Sequence, residues 1–168
     1  MTVADISAFD LKALSLTGNL SVTAGGAVTD SGNLTVGGTT TVSAAGFDVT
    51  LDQSGNNFTG ALGVTGANVA LVDASGIVLG ASTVSGTYAV TATAGDITNT
   101  GALVITGAST FTANGVGASI TLANVANNFT GTVTFAGSGG LASVTVADIS
   151  AFDLQALSLT GNLSVTSG

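Results

Sequence analysis

The chain has no cysteine, histidine, arginine, glutamate or tryptophan, and its only cationic side chain is Lys12. Without cysteine there is no disulfide, no thiolate chemistry and no Cys-based metal site. One cation against nine aspartates leaves a net charge of -8. A chain so charged cannot neutralise a row of phosphates, so it excludes nucleic acid and disfavours anionic membrane as partners. No run approaches ~18 apolar residues, so no membrane-inserted helix is expected. No cationic region followed by an apolar run opens the chain, so an export signal is expected elsewhere. All the acid is Asp, whose short side chain bonds nearby backbone N–H groups in turns, whereas Glu favours helix. That choice, with 25 glycines in 168 residues, leans toward a turn-rich β protein.

What the chain does have is repetition. TVADISAFDLKALSLTGNLSVT begins at Thr2 and recurs 143 positions later, ending at Thr166, with only Lys12 replaced by Gln155. The alignment places Met1 opposite Val144, as an added start residue on a fragment of a tandem array would be. Within the 143-residue unit, AVTDSGNLTVGGTTTVSAAG from Ala27 aligns without gaps on DITNTGALVITGASTFTANG from Asp96. FDVTLDQSGNNFTGALGVTGAN from Phe47 aligns likewise on ASITLANVANNFTGTVTFAGSG from Ala118, and LVDASGIVLGASTVSGTYAV from Leu71 on VADISAFDLKALSLTGNLSV from Val3. The order is A, B, C, A, B, C, A, with boundaries near 1–26, 27–46, 47–68, 69–95, 96–117, 118–143 and 144–168. Units of 20 to 27 residues are too short for domains and suit the coils of one continuous solenoid.

Each segment carries short alternating runs, such as Leu34-Thr-Val36, Val49-Thr-Leu51 and Ile120-Thr-Leu122, broken by Gly, Asn, Asp and Ser. Period-two alternation puts the apolar residues on one strand face and Thr or Ser on the other. Fixing a coil costs roughly 1 to 2 kcal/mol per residue, which its few apolar side chains cannot offset alone, so the core must be shared between stacked coils. ISAFDLKALSL also fits a helix, with Ser7 and Asp10 resembling a capping box. Its relative ASGIVLGASTV has two glycines and β-branched residues, which favours strand. The expectation is an all-β, single-stranded right-handed parallel β-helix of about seven coils, a rod of roughly 34 Å at ~4.8 Å per coil.

GNLTVGGTTTVSAAG, DITNTGALVITGAST and NNFTGALGVTGANVALVDASG resemble the repeats of filamentous haemagglutinin-like bacterial exoproteins, including giant β-strand-repeat surface adhesins, over nearly the whole chain. The resemblance implies a β-helix shaft, extracellular or on the bacterial cell surface, that holds adhesive regions away from the cell.

No catalytic, cofactor-binding or metal-binding residue stands out. Asp5, Asp73 and Asp148 fall on equivalent repeat positions, but neighbours would stand three coils apart, roughly 14 Å by the strand spacing, too far to share a proton or a metal. Most other Asp residues face non-acidic counterparts. No enzyme activity and no cofactor are expected. Thr-X-Thr motifs such as Thr39 to Thr41 and Thr110 to Thr112 resemble those of ice-binding solenoids, yet the repeat alignment does not stack them. Five Asn-X-Ser/Thr sequons begin at Asn19, Asn33, Asn57, Asn128 and Asn162, in positions that read as turns. Val49, Leu51 and Phe58, with Ile120, Leu122 and Phe129, read as a structural core stack. Asn56, Asn57, Asn127 and Asn128 read as turn or ladder residues at one corner.

Function is expected to be structural: a repeat or stalk giving length and stiffness to an adhesin-like protein, with receptor contacts made through other regions. A self-assembling extracellular fibre subunit, stacking end to end, is the alternative. A glycan-binding β-helix module is weaker, because one Tyr and no Trp leave few rings for sugars to dock on.

Overall fold

In a computed structural model covering residues 1–168, the chain is an all-β parallel solenoid of about eight turns with no helix. Each turn contributes up to three strands, and strands at the same place in successive turns pair in parallel to form three columns.

The first column holds β1 (Thr2–Asp5), β4 (Leu20–Ala24), β7 (Thr40–Ser43), β10 (Leu62–Gly66), β13 (Ser82–Val84), β16 (Leu103–Ile105) and β19 (Asn128–Phe129). The second holds β2 (Phe9–Leu11), β5 (Val28–Asp30), β8 (Val49–Leu51), β11 (Val69–Asp73), β14 (Tyr88–Ala92), β17 (Ser109–Ala113) and β20 (Val133–Ala136). The third begins with β3 (Leu14–Leu16), β6 (Leu34–Val36) and β9 (Asn57–Phe58). It resumes with β12 (Ile77–Leu79), β15 (Ile97–Asn99), β18 (Ser119–Leu122), β21 (Ser143–Asp148) and β22 (Leu163–Ser167). Between β9 and β12 that ladder is interrupted, and β12 leans onto the first column through Leu62↔Leu79.

A turn takes as few as 18 residues, as in the pairing Thr65↔Thr83, and as many as 24, as in Val104↔Asn128. The strands bury alternate residues, as in the buried–exposed–buried pattern of Leu34–Val36, because one pleat face points into the tube and the other to solvent. The inward residues make one core of 36 side chains running the length of the rod. Its distal half holds an aromatic ladder in which Phe111 and Phe135, then Phe135 and Phe152, stack with centroids 5.8 and 6.5 Å apart. Tyr88 and Phe129 meet Phe111 edge-on at 5.8 and 6.0 Å. Close stacking also dictates glycine at some corners. A Cβ on Gly101 would lie 2.0 Å from the backbone nitrogen of Ala81 in the turn below.

The sequence repeat and the turn are different units. β1, β11 and β21 carry the same sequence position, and so do β9 and β19, so one repeat of about 70 residues spans ten strands. Ten strands at three per turn are three and one third turns. Each repeat therefore begins one column further round, and segment boundaries drawn from similarity do not coincide with turns. The sequence ISAFDLKALSL forms β2 and β3 near the N-terminus, as the strand reading expects. Its second copy lies over a 24-residue turn (Ile120↔Val144) but closes its own in 19 (Val144↔Leu163), and pairs only through isolated bridges at Leu154 and Leu159.

Candidate functional site

The polar residues singled out by repetition occupy corners of the tube, where a strand ends and the chain bends. Asp73 is fully buried at the end of β11. One carboxylate oxygen accepts the backbone N–H of Phe58 (2.7 Å), and the other accepts the N–H and hydroxyl of Ser75 (2.7 and 2.8 Å). Asp148 repeats this with the N–H of Phe129 at 3.1 Å and the hydroxyl of Ser150. Asp5, at the open end of the first turn, has only the local half: it holds the N–H and hydroxyl of Ser7, which keep its carboxyl below the usual carboxylate range. The motif Asp-X-Ser is thus a corner clamp, completed wherever a turn lies below it.

The three clamps stand on β1, β11 and β21, hence on three different columns. The three-coil separation read from sequence is corrected to three and one third turns, because the repeat rotates by one column. No cluster of three or more metal-ligating side chains forms.

Asn56 and Asn127 are fully buried. Asn56 accepts the N–H of Leu34 (2.8 Å) and donates to Asp30 (2.6 Å). Asn127 accepts from Leu103 N–H (3.0 Å) and Asn99 Nδ2 (2.8 Å), and donates to the carbonyls of Leu122 (3.0 Å) and Ala147 (3.2 Å). Asn57 and Asn128, half-buried, open β9 and β19. The two Asn pairs do not form one ladder at one corner: β9 belongs to the third column and β19 to the first, again through the rotation. For the same reason Phe58 and Phe129, both buried, do not stack on each other; Phe129 packs instead against Phe111 and Phe152. Val49 and Leu51 lie buried on β8, and Ile120 and Leu122 buried on β18. Asn19, first of a sequon, is occupied at a corner, its side-chain oxygen accepting the N–H of Thr39 (2.9 Å).

Outside, the columns carry rows that repeat alignment missed. Thr98, Thr121 and Thr145 follow one another up the third column, and Thr110 and Thr134, beside Thr91 and Thr112, up the second. The expectation that Thr residues do not stack is therefore corrected in part: turn-to-turn register, not repeat equivalence, decides which side chains are neighbours. Alanines at 70 and 89 interrupt the row and leave a shallow groove of about 140 Å³. The carboxylate beside it, Asp48, is taken up by the N–H and Nδ2 of Asn68, both at 3.0 Å, and Asn68 in turn accepts from Thr87. Lys12 is paired with Asp10 and also donates to Ser31.

A family model described as repeats of unknown function (DUF5649) matches residues 1–65 and again 66–136. The two matched stretches are the first and second ten-strand units, β1 to β10 and β11 to β20. No curated protein and no solved structure matches the chain.

Proposed function

The chain belongs to the family of repeats of unknown function (DUF5649), and from that premise we propose that it is a structural spacer, a stiff repeat of a secreted or cell-surface, adhesin-like bacterial protein. The observation that carries the reading is the join between the two matched units. β10 and β11 each pair with strands on both sides, and one core runs through the junction without a break. Units joined this way add length without adding a hinge, since neighbouring turns share core and ladder bonds. The polar corner groups described above are consumed in holding turns together, which suits a shaft.

Small-angle scattering tests the stiffness: a rigid rod with a narrow, constant cross-section is expected, and a flexible or globular profile would overturn the spacer. Antibodies against the chain should label intact, unpermeabilised cells of the source bacterium; labelling only after lysis would overturn the surface placement.

A further inference from the structure

Asparagine recurs at the corners of the tube, yet only Asn114 is followed by glycine, Gly115. After every other asparagine the next residue carries a side chain, which crowds its own backbone nitrogen; glycine leaves that nitrogen open. The pair lies between the end of β17 and a tight turn closed by the N–H of Ala118 on the carbonyl of Gly115 (3.0 Å). Val116 at the tip of that turn is fully exposed, and Asn114 and Gly115 are half-buried.

Hydrogen bonding sets Asn114 apart as well. The amides of Asn56, Asn68, Asn99, Asn124 and Asn127 are each tied through Nδ2, whereas Nδ2 of Asn114 donates to no group of the chain. The N–H of Gly115 is also outside the backbone ladder, although Asn114 before it donates to Ala92. The oxygens of Asn114, by contrast, are held from the turn above. Ser138 donates its backbone N–H to Oδ1 at 3.0 Å and its hydroxyl to the main-chain carbonyl at 3.3 Å.

We propose that Asn114 is a site of self-modification, where the side-chain amide closes onto the Gly115 nitrogen and is lost as ammonia. Solvent base takes the Gly115 N–H proton, and the nitrogen attacks Cγ of Asn114. The N–Cγ bond forms, the Cγ–Nδ2 bond breaks, Nδ2 takes up a proton and leaves as ammonia, and a succinimide ring remains. Water then opens the ring, at Cγ to give aspartate or at the main-chain carbonyl carbon to give isoaspartate; nothing is oxidised or reduced. Negative charge gathers on Oδ1 while the ring closes, and the Ser138 N–H is already aimed at that oxygen, as an oxyanion donor is. Attacking nitrogen and leaving amide are both unengaged, and their reaction is intramolecular.

The two products differ in what they do to the corner. Aspartate keeps an oxygen for the Ser138 N–H and adds one negative charge. Isoaspartate inserts an extra backbone methylene beside Gly115, where a Cβ alone would stand 2.7 Å from the Gly95 nitrogen of the turn below. That form has to push the stacked turns apart.

The test follows full-length protein at mildly alkaline pH, folded or unfolded in guanidinium chloride, digested at intervals with a protease that cuts before Asp. Asn114 falls in the fragment 96–147. That fragment should gain the mass of one deamidation, at least as fast in the folded chain as in the unfolded one and by up to about tenfold faster, a small share of what an oxyanion donor contributes in an enzyme. A new cut before position 114 marks the aspartyl product, and the uncut, heavier fragment carries isoaspartate. Asn114→Gln, whose amide would have to close a larger ring, should keep the fragment's mass unchanged over the same interval. A folded rate below the unfolded one would overturn the proposal, and so would a mass gain that persists in Asn114→Gln.

Discussion

Asp73 accepts a hydrogen bond from the backbone N–H of Phe58 at 2.7 Å, tying the corner of one turn to the start of a strand in the turn below. The same carboxylate closes its own corner on Ser75. Asp73→Ala removes a charged acceptor and strands a buried N–H, so it should cost about 2 to 4 kcal/mol in a urea melt. Asp73→Asn keeps one acceptor oxygen for two sets of donors and should lose less. Asp5→Ala, at the open end where no N–H from a lower turn is held, should leave the midpoint nearly unchanged.

Asn127 and Asn128 are sequence neighbours with opposite fates, and substitution should separate them. Asn127→Ala leaves the Leu103 N–H and the carbonyls of Leu122 and Ala147 unpaired inside the tube. A loss on the order of 3 kcal/mol is expected. Asn128 has one side-chain contact, with the hydroxyl of Ser150, at a half-buried site. Asn128→Ala should cost less than about 1 kcal/mol. Equal losses in thermal melts would show that the amide network at Asn127 does not hold the corner.

Repetition, period-two alternation and turn residues were enough to read a parallel solenoid and to pick Phe58, Phe129, Leu51 and Leu122 as interior. They could not show that Asn56 and Asn127 sit at different corners. Similarity aligns residues that share a local conformation, and β9 and β19 do share one. Lateral neighbours are set by how many residues close a turn, which here varies between 18 and 24. No single segment encodes that number, because it depends on how the turn below is filled. The Thr rows of the outer faces were missed for the same reason. A count of strands per repeat, ten rather than nine, was the signal that would have revealed the rotation.

Tyr88 is the single tyrosine and there is no tryptophan, so its titration can be followed without interference. Burial pushes its phenol well above its ordinary value near 10. A raised pKa on an acid that is neutral when buried gives stability that is complete below about pH 10, the unfolded value, and is lost as pH rises beyond it. Tyrosinate absorbance should therefore appear together with the loss of β circular dichroism. A phenol that titrates near pH 10 while the dichroism stays intact would show that Tyr88 reaches solvent.

The one ion pair, Lys12 with Asp10, has a natural control in Gln155 beside Asp153. Hydrogen bonds from Lys12 and then Ser31 hold the Asp10 carboxyl below its ordinary value. A depressed carboxyl contributes above the unfolded value near 4 and loses that contribution as pH falls through its folded pKa. Both side chains reach solvent, which screens the pair. Lys12→Gln should melt within error of the parent at neutral pH, with a slightly smaller loss on acidification. A clear destabilisation at pH 7 would show that the pair anchors the first turn.

The rotation itself can be measured through phenylalanine. Phe111 touches Phe129 edge-on at 6.0 Å, although the two are not sequence equivalents, while Phe58 and Phe129 are equivalents that belong to different columns. Truncation of either Phe111 or Phe129 to Ala should cost about 3 to 5 kcal/mol, because each leaves a cavity in a core that cannot collapse around it. The double-mutant cycle between them should return a coupling of about 0.5 to 1.5 kcal/mol, the size of an aromatic pair beyond its buried area. The cycle between Phe58 and Phe129 should return additivity within about 0.5 kcal/mol, as distant sites do. Three strands per turn and ten per repeat require that order. A coupling between Phe58 and Phe129 as large as that between Phe111 and Phe129 would put them in one column, and only a repeat of a whole number of turns could do that.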